Sequence, residues 1–111
     1  MYARVAFFEG HDPEQIDELI RRLDERSRRH VDMLPESRAF LTLVDRKAGK
    51  SIGITFFETL EAMEASEPAL ASFPKAYPDS LKGRRVGLDV YEVGVADRPG
   101  AIAASQAPRG S

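Results

Sequence analysis

Between Phe40 and Met63 the chain lays down two strands that leave no polar side. Phe40-Leu-Thr-Leu-Val44 leads into a charged turn, Asp45-Arg-Lys-Ala-Gly49. A second run from Ser51 to Glu58 follows, and Thr59-Leu-Glu-Ala-Met63 starts a helix. Neighbouring side chains on a strand point to opposite faces. Ile52, Ile54 and Phe56 therefore share one side, and Gly53, Thr55 and Phe57 the other. Leu41 and Leu43 oppose Phe40, Thr42 and Val44. The pairs Phe7-Phe8 and Phe56-Phe57 each send one ring to each side. Neither side reads as a solvent face. At about 25 cal/mol per Å² of apolar surface, leaving one bare forfeits several kcal/mol and invites aggregation.

The remaining elements fix how many helices can cover that sheet. Ala3 to Glu9 reads as the first strand. Asp12 suits an N-cap, Pro13 the first helical position and Gln15 a capping-box partner. Ile16, Leu19, Ile20 and Leu23 then recur at helical spacing to about Arg28, with a charged outer face. His30 to Pro35 reads as an irregular connection. Thr59 caps the second helix, which Pro68 is predicted to interrupt, with a second helical piece to about Phe73. Pro74 and Pro78 predict a loop. Arg85 to Val95 reads as the last strand, with Val86, Leu88 and Val90 on one face. The order strand, helix, strand, strand, helix, strand predicts a ferredoxin-like α+β fold (βαββαβ), a four-stranded antiparallel sheet with two helices on one face. This domain spans residues 1–97. Residues 98–111, rich in proline, glycine, alanine and serine, read as a flexible tail. Two helices cover one face only, so a homodimer formed through the sheets is expected, enclosing a space.

At 111 residues the chain makes one domain. It has no cysteine, hence no disulfide and no thiolate site. A formal charge of −2 argues against a nucleic-acid partner. No apolar run approaches the roughly 18 residues of a membrane span, and Met1-Tyr-Ala-Arg lacks the apolar core of a signal peptide. A cytoplasmic protein is the expectation. No glycine-rich phosphate loop, nucleophile elbow or zinc spacing is present, so no motif supports a hydrolase, kinase or dinucleotide enzyme.

Candidate site residues follow from the strands. Phe57 and Tyr91 are expected to share a face with Thr55 and Asp89, making a cavity rimmed by aromatic rings and suited to a flat, partly polar organic ligand. Phe8 would line it. Arg4, inside the first strand, would place its guanidinium in the pocket or at the dimer seam, or stand exposed at an edge. Asp89, if buried, would become a base; open to water or paired with an arginine it is structural, the favoured reading. Of the two histidines, His30 is the candidate general base near the pocket mouth, whereas His11 is expected to be exposed. Two isolated histidines without clustered carboxylates give no metal site. Arg21, Arg22, Arg26, Arg28 and Arg29, interleaved with Asp24 and Glu25, read as a solvated face with internal ion pairs.

The segments Leu43-Val-Asp-Arg-Lys-Ala-Gly49, Gly53-Ile-Thr-Phe-Phe-Glu58 and Glu61-Ala-Met-Glu-Ala-Ser66, within the layout from Met1 to Ala96, resemble the dimeric α+β barrel proteins. The resemblance is to the antibiotic biosynthesis monooxygenase-like group in particular. It implies a ligand held between sheet and helices, and a cofactor-independent oxygenase of an aromatic substrate. In that case Tyr91, Asp89 or His30 would assist proton transfer, and Phe57, Thr55, Phe8 and Arg4 would contact the ligand. The alternative is a non-catalytic ligand-binding or accessory domain. Family enzymes often carry tryptophan at the end of the third strand, where this chain has Phe57 before Glu58. Haem-degrading members resemble an asparagine, tryptophan and histidine pattern. This chain has no asparagine, no tryptophan and no histidine in its second helix. Haem degradation is therefore rejected, and no cofactor is expected.

Overall fold

A computed structural model describes residues 1–27, 36–72 and 78–96. The elements are β1 (Tyr2–Glu9), a 3-10 turn (Pro13–Gln15) running into α1 (Ile16–Ser27), β2 (Ser37–Asp45), β3 (Lys50–Phe57), α2 (Leu60–Ser72), the short α3 (Asp79–Lys82) and β4 (Arg84–Glu92). The strands form one antiparallel sheet in the order β2-β3-β1-β4. This is the ferredoxin-like α+β arrangement expected from the element order. His30 and residues 97–111, including the proposed tail, lie outside the described residues.

Local chemistry sets most boundaries. Asp12 accepts a hydrogen bond from the Glu14 N–H, with Pro13 at the first turn position. Thr59 Oγ1 accepts from the Ala62 N–H and caps α2. Gly49 closes the β2–β3 turn at φ 66°, and the Asp45 side chain accepts from the Ala48 N–H inside it. Pro68 departs from expectation, because α2 runs through it unbroken to Ser72. The turn before it is held from both sides. Ser66 is buried and donates to the Ala62 carbonyl, and Glu67 is clamped by Arg4. Tertiary anchoring of that turn offsets the hydrogen bond that proline removes. The stretch after Pro78 is not all loop either, since Asp79–Lys82 makes a helical turn.

Register decides the faces. Arg4 sits opposite Thr55 and Val90, and Ala6 opposite Gly53 and Leu88. On β2, Phe40 and Thr42 sit opposite Thr55 and Gly53. These residues form the face beneath α1 and α2. The opposite face carries Ala3, Val5 and Phe7 from β1, Leu41 and Leu43 from β2, Ile52, Ile54 and Phe56 from β3, and Asp89 and Tyr91 from β4. Among the described residues nothing closes it, and Leu43 is 49% exposed and Tyr91 54% exposed. The core proper lies between helices and sheet, where Ile16, Leu19, Phe57, Met63 and Leu81 are buried.

Candidate functional site

The helix-covered face holds an open cavity of about 80 Å³. Its walls are apolar: Phe8 and Phe40 from the sheet, Leu19 and Leu23 from α1, Leu70 from α2. The floor is small, because Gly53 lies between two rings. A methyl placed there would meet Phe40 Cε2 at 3.9 Å and Phe8 Cε2 at 4.0 Å, ordinary contact distances. A strand position that elsewhere on this sheet holds isoleucine or phenylalanine is left empty, and that absence makes room.

Polar groups line the same cavity. Arg4 is buried, and its guanidinium makes a two-pronged pair with Glu67 of α2, Nε to Oε2 at 2.9 Å and Nη2 to Oε1 at 2.8 Å. Its charge is thus answered within the fold. Thr42 Oγ1 is buried and, among the described residues, is the one such side-chain atom with no hydrogen-bond partner. Lys82 and Arg85 also line the cavity, and among the described residues no carboxylate does.

The third polar feature centres on His11, which is buried and not exposed as the sequence suggested (6% accessible). Its Nδ1 lies 2.9 Å from the Leu81 carbonyl oxygen and its Nε2 2.7 Å from Ser51 Oγ. A carbonyl can only accept, so Nδ1 carries the hydrogen. In the neutral ring Nε2 is then a bare acceptor for the Ser51 hydroxyl. Two glycines of positive φ press on this corner. A Cβ on Gly83 would come within 2.9 Å of His11 Nδ1, and one on Gly49 within 2.4 Å of the His11 carbonyl oxygen. The His11 N–H also donates to the Gly49 carbonyl at 3.0 Å. Segments around residues 11, 50 and 82 therefore meet at one imidazole. Sequence reasoning missed both His11 and Ser51. The available signals were the glycines that flank them, Gly10, Gly49 and Gly83.

The structure divides the remaining candidates. Phe8, Thr55 and Arg4 line the cavity. Phe57 is on the same face but wholly buried, and it does not reach the cavity lining. Tyr91 and Asp89 do not share that face. They pair with Ala3 and Val5 and stand on the uncovered side. There the Tyr91 hydroxyl donates to Asp89 at 3.2 Å. The Asp89 charge, with this bond, raises the Tyr91 pKa, so the phenol is held protonated rather than made a base. The expected constellation of Phe57, Thr55, Tyr91 and Asp89 is thus split across the sheet. Among the described residues, no group of three or more His, Asp or Glu is placed to hold a metal. No described helix is long and apolar enough to cross a membrane.

No family model matches the sequence, and no curated protein matches it. Among solved structures the chain is similar in overall fold to an antibiotic biosynthesis monooxygenase, at 20% identity and a TM-score of 0.48. The match covers 87% of this chain and 100% of that one. The fold assignment above rests on strand order and pairing.

Proposed function

We propose that this protein binds a small, flat, largely apolar organic molecule between its sheet and its helices. The observation that carries this reading is Gly53, left without a side chain between the Phe8 and Phe40 rings at the floor of an apolar cavity. Lys82 and Arg85 in the lining give the cavity positive charge and favour a ligand bearing a carboxylate or phenolate. Calorimetry with 2-naphthoate and 1-naphthol tests it. The wild-type chain should bind at least one of them. Gly53→Ala, whose methyl meets only ordinary contacts, should fold normally and weaken binding by roughly tenfold, about 1.4 kcal/mol. Gly53→Leu should abolish it. Unchanged binding in both variants would place the ligand elsewhere.

Binding without oxygenation is the form of this reading that the residues favour. Cofactor-independent oxygenation of an aromatic substrate is its enzymatic form. That form keeps the cavity but loses Tyr91 and Asp89 as proton carriers within the same chain, since both stand on the other face. Homodimerisation through the uncovered face belongs to the same proposal. Val5, Phe7, Leu41, Leu43, Ile52, Ile54 and Phe56 supply an unbroken apolar surface there. Sedimentation at micromolar concentration should show two copies associated, and a stable single chain would refute it.

A further inference from the structure

The geometry points to Ser51 as a nucleophile, activated by His11 and held by the Leu81 carbonyl, for acyl transfer from a small carboxylic ester bound in the cavity. The inference rests on the reading that this cavity admits an organic ligand. Three observations support it. A hydroxyl, an imidazole and a third group orienting the imidazole stand in series, Ser51 Oγ to Nε2 at 2.7 Å and Nδ1 to the Leu81 oxygen at 2.9 Å. That is the arrangement that activates a serine, with a carbonyl in the position a carboxylate often takes. The imidazole is held at both ring nitrogens, with Gly83 packed against the ring and Gly49 against the His11 backbone, each too closely for a side chain to stand there. Both His11 and Ser51 also line the cavity.

The cavity holds a complement for the developing charge. Thr42 lies opposite Gly53, and Ser51 opposite Val44, so Thr42 and Ser51 are diagonal neighbours on one face. Such neighbours stand roughly 7 Å apart, a gap that a carbonyl group bonded to Ser51 Oγ can bridge. The buried Thr42 hydroxyl, which has no partner among the described residues, is placed to donate to the oxyanion, and Lys82 and Arg85 add positive charge to the lining.

The step balances with water as co-reactant. Ser51 Oγ bonds to the ester carbon as its proton passes to His11 Nε2. The carbon–oxygen bond to the leaving alcohol breaks, and that alcohol takes the proton. Water then gives a proton to Nε2 while its hydroxyl bonds to the acyl carbon. The bond from that carbon to Ser51 Oγ breaks, Oγ takes the proton back from Nε2, and the acid departs.

The test begins with a p-nitrophenyl alkylphosphonate, which releases p-nitrophenolate as it phosphonylates a reactive serine. Intact and peptide mass spectra should place one adduct on Ser51, lost in Ser51→Ala and His11→Gln. Those variants can also destabilise the fold, so a second measurement uses the absence of cysteine. Ser51→Cys installs a single thiol, and the pH profile of its alkylation by iodoacetamide should have its midpoint below the ordinary thiol value of about 8.5. Adding His11→Gln should slow alkylation at pH 7 by roughly tenfold, the effect of one pKa unit. An unlabelled wild type together with an inert thiol overturns the inference. If naphthoate still binds in that case, the ligand reading stands and only the nucleophile falls. If it does not, both fall.

Discussion

The two faces of the sheet differ at their centres. The face under the helices sets Arg4, Ala6, Ser51, Gly53, Thr55 and Thr42 among the rings of Phe8, Phe40 and Phe57, small or polar residues in a site already sheltered from water. The bare face carries Val5, Phe7, Leu41, Ile52, Ile54 and Phe56, residues of the kind that fill a core. A chain optimised only for its own stability would reverse the two. The sheltered face therefore reads as kept open for something that enters, and the bare face as prepared for something that covers it. A single backbone serves both because adjacent strand residues point apart.

The adjacent rings Phe57 and Phe56 give the sharpest way to break that comparison. Phe57 is fully buried under the helices, so Phe57→Ala should cost about 3–5 kcal/mol whatever the protein concentration. Phe56 is only half-buried in the single chain. Phe56→Ala should cost about 1 kcal/mol in dilute protein and more as concentration rises. Denaturant midpoints at two concentrations decide it, and equal, concentration-independent losses would mean the faces do not differ. Next in size is Leu43→Lys on the open face. It should convert the sedimenting species to a single chain. The dilute unfolding free energy should stay within about 0.5 kcal/mol of wild type, and naphthoate binding should be retained.

The smallest effect lies on the outer surface of α1, away from both faces. Hydrogen bonds from Arg21 and then Arg22 hold the Glu18 carboxyl down at about 2. A depressed acid stabilises the fold fully above its unfolded value, 4.5, and loses that contribution as pH falls through about 2. The thermal midpoint should drop slightly across that window in the wild type and less in Glu18→Gln. High salt should shrink the difference, because the cluster is exposed. A pH response that Glu18→Gln leaves intact would assign it to other carboxylates.

What could be read from the residues alone follows the reach of the physics involved. Strand alternation, the Asp12 and Thr59 caps and the Gly49 turn are local, and each stands in the structure as expected. The β2–β3 phase was legible too, because a short turn joins the strands. The phase of β4 was not. It pairs with β1 across most of the chain, with a register shift between Phe7 and Phe8, and no hairpin sets it, so Tyr91 and Asp89 were assigned to the wrong side. The burial of His11 is not legible locally, because its partners lie 40 and 70 residues away and only the adjacent Gly10 marks the spot. Pro68 reads as a break in sequence because the Arg4–Glu67 clasp that steadies its helix spans 63 residues.

The glycine cage around His11 also limits how this protein can drift. No side chain fits at residue 49 or 83 while the residue-11 segment stays where it is, so a substitution at either is admitted only if that whole corner is rebuilt. Positions 11, 49 and 83 are in that sense a single heritable character, spread over three stretches of gene.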